Sequence, residues 1–571
     1  MANFLVKDIF KNRKKKNFRQ YNIDFKYFDF YKKIRTSKSK LNSQLMEKYL
    51  SKNVEELFWE EIYLSEEQSQ YGMYNGKIAY GEVQSGKTMN MIASLYKAYD
   101  LGFKYIFVLT GNLKSLHNQT FERFIKEHEE IRMELISKID DQEFDYDITP
   151  QIEFTDIRKI NLSEQETVKK ISNIEKNSKM QVFFVLKEET SYKKMIEIIK
   201  NGTSSQVFDS ILIMDDEADW SFADLDNEKS LHNILINFKN ICFKKEKYLK
   251  YLGFTATPYK ILENFRQKMI TNEIVLLKTK KINSLIDSNK FEKEEPFYSG
   301  LELFHSKNLK IKEEGTKLNE VLNKKYITTI DDFLIVKKEE EKYLYRLSIF
   351  TFLINSRNFR VMREFSKEMI TGLIFKDISK DEHKLVKNYI QNFLLDKVAE
   401  FNQECSWEKI IKIFELEKNN DKNILFLLNY LKTKFDKDSF GFWNFIKLWF
   451  DSNINNNFNF LRIFNSENEN NIESLKEIDG FNEFIIIGGY SMSRGVTFPN
   501  LVMELILHKS NKYDSTLQRA RWFGFRNYEN LVNMDILMTK SVLKSFEEAI
   551  DYDKQLRERI ENNVTSTLIK D

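Results

Sequence analysis

Eight consecutive residues, Gly81-Glu82-Val83-Gln84-Ser85-Gly86-Lys87-Thr88, have the spacing G-x-x-x-x-G-K-T. Such a loop can turn successive backbone N–H groups inward around a chain of phosphates. Gly81, Gln84, Ser85 and Gly86 would shape the cradle. Lys87 would reach the β- and γ-phosphates, and the Thr88 hydroxyl would help hold Mg²⁺. The chemistry implied is binding and hydrolysis of a nucleotide. A second cluster, Asp215-Asp216-Glu217-Ala218-Asp219, ends the apolar run Ser210–Met214. Carboxylates at the carboxyl end of a buried parallel strand face the ligand side of an open α/β sheet. Asp216 is placed there to bind Mg²⁺ through water, and Glu217 to orient and deprotonate an attacking water. Thr255 and Thr257 follow a further apolar strand, where their hydroxyls can bond to the nearby acidic motif. Glycines and a charge follow Phe484–Ile487 in Gly488-Gly489 and Ser493-Arg494-Gly495, a backbone suited to anions. Last comes Tyr513–Arg526, with Gln518, Arg519, Arg521 and Arg526 interleaved with Trp522 and Phe525. As a continuous helix it would place Gln518, Arg521 and Phe525 on one face, and Trp522 with Arg526 on the next.

These groups need a scaffold. The loop has the apolar Ile78-Ala79-Tyr80 before it and a helix-like run, Met89–Tyr99, after it, so the helix N-terminus points at the phosphates. Lys104–Thr110, Gln181–Leu186, Ser210–Met214 and Tyr251–Phe254 are near-continuous apolar runs, as buried parallel strands are. Helical or polar stretches separate them, which is the pattern of a doubly wound sheet. Leu50, Val54, Leu57 and Phe58 recur at helical spacing and predict a helix packed on the domain that follows. Residues 265–345 are rich in Lys and Glu and less regular, and 345–450 read as mostly helical. The aromatic stripe Phe440–Phe450 has the spacing of a helix core. Strand patterning returns near Phe458.

The 571 residues contain 89 Lys and Arg against 86 Asp and Glu, a net charge of +3. Global charge therefore does not announce a nucleic-acid binder. Residues 1–40 differ, with 13 basic and three acidic side chains, densest over Lys11–Arg19. That arm is either a contact for nucleic-acid phosphates or a solvated terminus. Two cysteines exclude a disulfide scaffold and a cysteine zinc site. No apolar run approaches the ~18 residues of a membrane span, and the expected compartment is the cytoplasm.

The order of the motifs resembles that of the superfamily-2 helicases and translocases, and in detail the Z1-domain family of proposed endonucleases. The matches are Val83–Thr88, Leu109-Thr110-Gly111 with Gln119-Thr120, Asp215–Asp219, Tyr298-Ser299-Gly300, Gly488-Gly489, Ser493-Arg494-Gly495 with Thr497, and Gln518–Arg526. The resemblance implies an α/β protein of two RecA-like, doubly wound parallel-sheet lobes, with a mostly helical insertion and an N-terminal helical extension. The expected domains are the basic extension over 1–75, lobe 1 over 76–262, the insertion over 263–450, which could hold the start of lobe 2, and lobe 2 over 451–571. The first lobe would hold Lys87, Thr88, Asp216 and Glu217. The second would present Arg521 and Arg526 to the γ-phosphate, with Gln518 beside them, and Arg494 and Gly495 would join Asp219, Thr255 and Thr257 in coupling. The chain departs from the helicase pattern Q-x-x-G-R-x-G-R by placing Arg521 where a glycine falls, so the finger is Arg526 or Arg521, with Arg526 preferred. Thr497 stands where aspartate is usual.

The leading function is an ATPase stimulated by DNA or RNA, helicase- or translocase-like, with ATP and Mg²⁺ as cofactors. It would serve a bacterial anti-phage or restriction system, with partner defence subunits and no membrane. The alternatives are an endonuclease, for which Asp331-Asp332 is the nearest acidic pair, and a switch ATPase that binds protein partners without nucleic acid.

Overall fold

A computed structural model describes residues 26–38, 43–59, 74–137, 149–160, 179–202, 210–221, 231–244, 248–263, 273–279, 296–300, 303–304, 317–332, 338–365, 367–376, 379–402, 406–417, 421–455, 458–464, 482–493, 496 and 498–562. The basic stretch Lys11–Arg19, and Arg494, Gly495 and Thr497, lie outside the described residues. The chain forms two compact units, one of residues 1–280 with 556–571 and one of 281–555.

The first unit is built on seven strands: β1 (Tyr74–Tyr80), β2 (Tyr105–Leu109), β3 (Ile152–Asp156), β4 (Met180–Val185), β5 (Ser210–Asp216), β6 (Tyr248–Thr255) and β7 (Glu273–Leu276). Their order is β3-β4-β2-β5-β6-β1-β7, and every pair is parallel. The interior strands β2, β4 and β6 are buried at every position, because helices cover both faces. Register places Tyr80 beside Thr255 and Asp216 beside Phe254, so the phosphate loop, the acidic motif and the threonine motif all leave the same edge of the sheet.

The N-terminal helices Tyr27–Lys38 and Ser43–Leu57 belong to this unit. The spacing of Leu50, Val54, Leu57 and Phe58 buries them in one core with Met91, Ile92 and Leu95 of the helix Lys87–Asp100. Asp100 caps the first of these helices from a distance, accepting the N–H groups of Tyr27 and Phe28 at 2.9 Å each. Tyr31 stacks on Tyr96 at 4.9 Å and donates to Glu127 at 2.8 Å.

The second unit carries β8 (Phe297–Ser299), β9 (Ile327–Ile330), β10 (Ile370–Phe375), β11 (Leu461–Phe464), β12 (Glu483–Gly488), β13 (Leu501–Ile506), β14 (Gly524–Arg526) and β15 (Asp535–Thr539). Six of them make a parallel sheet in the order β11-β12-β10-β13-β15-β9, and β14 pairs antiparallel with β8 as a separate ribbon. The two parallel sheets with flanking helices are the two RecA-like sheets of the expected α/β class. The helices Lys338–Met362, Lys380–Lys397, Lys422–Asp436 and Ser439–Asn455 bury a common core. Trp449, Phe450, Phe442 and Ile446 of the aromatic stripe lie in it, while Phe440 stays 76% exposed at the start of its helix. The stretch read as helical also contains β10, the third strand of the second sheet, placed between β12 and β13.

Candidate functional site

The phosphate loop leaves β1 through Gly81, whose N–H bonds to the Thr255 carbonyl at 3.0 Å. The loop then bends through two left-handed residues, Gln84 (φ 57°) and Gly86 (φ 88°), before the helix begins at Lys87. Glycine takes the second bend without a Cβ penalty. A Cβ at Gly81 would lie 2.7 Å from Ser85 Oγ, so a larger residue there would make the serine side chain shift. Ser85 Oγ is buried with no hydrogen-bond partner among the described residues. Lys87 Nζ folds back over the loop to the Glu82 carbonyl at 3.4 Å, and no carboxylate among the described residues pairs with it. A lysine held over a left-handed loop at a helix N-terminus, beside an orphaned hydroxyl, fits the phosphates of a nucleotide.

Asp216 and Glu217 leave the end of β5. Burial pushes the Asp216 carboxyl up to about 6; the charge on Glu217 adds to this, while Lys87 and Lys187 draw it down. Lys87 is thus within electrostatic reach of Asp216. Glu217 is left-handed (φ 53°, ψ 56°), which for a residue with a Cβ costs about 1–3 kcal/mol and persists only where surroundings hold it. The donor set fits Mg²⁺, a hard cation that takes a carboxylate, a hydroxyl and water: Asp216 and Thr88 would hold it beside a nucleotide.

Asp219 accepts from Thr255 Oγ1 at 3.0 Å, and Thr255 Oγ1 accepts from the Thr257 N–H at 3.0 Å. The threonine motif and the acidic motif are therefore bonded directly, and through Gly81 to the phosphate loop. Gly253 permits this packing, since a Cβ there would meet Ile78 at 2.7 Å and Ala218 at 2.8 Å.

One participant escaped the sequence reading. Lys187, just past β4, pairs with Asp215 at 2.7 Å, and its side chain is 4% exposed. It also donates to the carbonyls of Asp216 at 2.5 Å and Glu217 at 2.9 Å. A lysine directly after the apolar run that forms β4 was the available signal. In this lysine-rich chain it does not stand out.

A cleft of ≈ 390 Å³ opens beyond the ends of β3 and β4, lined by Lys114, Arg158, Lys159, Lys194, Thr190 and Ser191, with Asp156 and Glu188. Arg158 is committed to Asp156, at 2.7 Å, and Lys194 to the carbonyls of Arg158 and Ile160. Lys114 and Lys159 form no ion pair among the described residues.

In the second unit the helix Tyr513–Arg519 ends earlier than a continuous helical reading requires. Ala520 leaves helical geometry, Arg521 and Trp522 form a turn, and Arg526 lies on β14 beyond Gly524 (φ 126°). The helical face sharing of Gln518, Arg521 and Phe525 is therefore not formed. The turn nevertheless gathers the motif residues. Arg521 Nη1 donates to the Ser493 carbonyl at 3.1 Å and Arg526 Nη2 to the Arg521 carbonyl at 2.9 Å. Gln518, Arg521 and Arg526 are all buried. Trp522, also buried, packs against Phe304, Phe523 and Phe546. Beneath the arginines lies Glu504, a second residue the motifs missed, buried in the middle of β13. Burial pushes its carboxyl well up, and the charges of Arg521 and Arg526 oppose that. Burial also lowers Arg526 to about 10.

Residues 346–569 match the Z1 domain. The resemblance drawn from the motif order is borne out over that segment. The chain is similar in fold to S. cerevisiae Dbp5 bound to RNA and ADP BeF3, at 10% identity over 87% of this chain and 90% of that one, with a TM-score of 0.39. It is similar to the DEAD-box helicase Mss116 bound to ssRNA and UDP-BeF at 11% identity, over 91% and 73% of the two chains, with a TM-score of 0.39. The DUF1998 helicase MrfA bound to DNA matches at 11% identity over 90% of this chain and 48% of its own, with a TM-score of 0.41. No curated protein matches the chain. Among the described residues, no helix is long and apolar enough to cross a membrane.

Proposed function

We propose that this chain is a nucleic-acid-stimulated ATPase of helicase or translocase type, using ATP and Mg²⁺. The observation that carries the reading is Lys87. It lies over a left-handed phosphate loop without a carboxylate partner among the described residues and within electrostatic reach of Asp216. A triphosphate with its divalent cation is the ligand that such a set neutralises.

In this reading the loop 81–88 binds the phosphates, Lys87 balances their charge, and Asp216 with Thr88 holds the cation. When bound, the cation supplies charge neutralisation on the phosphate oxygens. Glu217 orients the attacking water and takes its proton. Positioning and charge carry such a reaction, with no covalent step on the protein. Arg526, with Arg521 and Gln518, serves the γ-phosphate. Asp219, Thr255, Thr257, Arg494 and Gly495 couple the nucleotide to the rest of the chain. DNA or RNA is the partner, and the basic cleft at Lys114 and Lys159 supports phosphate contact in the first unit. The anti-phage or restriction setting, with its partner subunits, rests on the Z1 resemblance alone. The endonuclease reading gains nothing from its acidic pair: Asp331 pairs with Lys540, and Asp332 caps the helix at Ser541.

The deciding experiment measures ATP hydrolysis by wild type and Glu217→Gln with single- and double-stranded DNA and RNA. Wild type should be stimulated by one of these, with stimulation falling steeply as salt rises. Glu217→Gln should bind ATP yet lose turnover about a hundredfold or more. Equal turnover in the two proteins would overturn the site. Hydrolysis indifferent to every nucleic acid would favour the protein-binding switch.

A further inference from the structure

Between the cleft and the acidic motif lie three consecutive residues, Leu186, Lys187 and Glu188. Lys187 points into the unit. Its ammonium donates to the carbonyls of Asp216 and Glu217 and forms an ion pair with Asp215 Oδ1 at 2.7 Å. Asp215 is itself fixed on its other oxygen, accepting from Tyr251 at 2.7 Å and Ser221 at 2.5 Å. Lys187 thus grips the backbone on either side of the bend at Glu217, where the chain is left-handed. The Glu217 carbonyl has one further tie, the N–H of Trp220 at 3.1 Å.

Glu188 faces the other way and lines the cleft. Its Oε1 accepts from Thr190 Oγ1 and Ser191 Oγ, each at 3.0 Å, and its carbonyl accepts the Tyr192 N–H at 3.1 Å. A phosphate entering the cleft would compete with the Glu188 carboxylate for the same two hydroxyls and repel it. The residue displaced is bonded directly to Lys187.

We propose that Lys187 is a positioning residue, which sets the backbone of Glu217 and transmits occupancy of the basic cleft to it. The proposal rests on the reading of Asp216 and Glu217 as the hydrolytic pair. It goes beyond that reading by naming the element through which a bound nucleic acid alters their geometry. Each link is a contact inside one unit: phosphate against Glu188, Glu188 beside Lys187, Lys187 on the carbonyl of Glu217.

The competing view is that Lys187 and Asp215 merely neutralise each other in the interior. Three variants separate the two: Lys187→Met, Asp215→Asn and the double variant, which removes both charges together. The readouts are melting temperature, affinity for a fluorescent ATP analogue, and steady-state ATPase with and without the stimulating oligonucleotide. Assayed at about pH 8, well above the acid edge of Asp216, Lys187→Met should lower kcat about tenfold or more, leave KM for ATP within about twofold, and bring the stimulation ratio close to one. In the double variant the melting temperature should return toward wild type, while kcat and stimulation stay low. If the double variant regains both, the pair is only a neutralised buried charge and the proposal falls. It falls equally if Lys187→Met is stimulated as wild type is. A wild type that hydrolyses ATP but responds to no oligonucleotide sinks the transmission and the nucleic-acid reading together. The fall in unstimulated kcat with unchanged KM would still uphold the positioning of Glu217.

Discussion

The acid edge of nucleotide binding can be worked out from Asp216. Its carboxyl is moved from the ordinary 3.8 to about 6, with burial the larger cause and the neighbouring Glu217 the next. At 1.36 kcal/mol per unit, ionising it costs roughly 3 kcal/mol more than in water, a cost that a divalent cation must offset. Only the ionised carboxylate holds the cation. Mg²⁺-dependent affinity for a fluorescent ATP analogue should therefore be flat above pH 7 and fall about tenfold for each unit below pH 6. Glu217→Gln removes a negative charge that raises Asp216, so its acid edge should move to lower pH. Lys87 and Lys187 lower Asp216 and are untouched by that change. Binding titrations from pH 5 to 8, with and without Mg²⁺, measure both edges. An acid edge left in the usual carboxylate range near 3.8, or one that rises in Glu217→Gln, would refute the electrostatics of this site.

Three further outcomes are expected. Arg526→Ala should lose turnover on the order of 10³-fold or more while keeping ATP affinity, whereas Lys87→Ala should lose affinity as well; stopped-time ATPase and binding assays distinguish them. Thr255→Val removes the bond to Asp219 and should lower stability by about 1–2 kcal/mol in urea unfolding, with a disproportionate loss of nucleic-acid stimulation. Asp535→Ala leaves Lys324 and Lys434 buried around the same empty place, and should cost about 3–5 kcal/mol in chemical denaturation, with no effect on ATP affinity if the fold survives.

Five of the seven strands of the first sheet were legible because their signals are local, while β3 and β7, at its two edges, were not read as strands. Apolar runs such as Tyr105–Leu109 end at once in turns, and the loop and carboxylates sit at those ends. The second sheet was harder. The strand Ile370–Phe375 is six residues between two long helices, and nothing in its periodicity separates it from them. Tyr298-Ser299-Gly300 was visible as a motif but not as a strand, since its partner is Gly524–Arg526, with Ser299 and Gly524 225 residues apart. The arginine segment was read for a helix by spacing alone. Its real course depends on Gly524 and on that distant partner. Glu504 could have been noticed as the one charge in the apolar run Leu501–Ile506. Lys187 offered only its place after an apolar run, a weak signal, because its meaning comes from the acidic strand's bend and not from its own neighbours.

The ribbon of β8 and β14 bears on how this protein can be dissected. The Z1 match begins at residue 346, after both β8 and β9. A polypeptide cut at that boundary would keep Arg526 but lose the strand stitched alongside it, and would leave β15 with a bare flank where β9 belongs. Unpaired flanks invite self-association, and such a fragment also lacks the phosphate loop at 81–88, so its solubility and any inactivity would say nothing about which arginine reaches a phosphate.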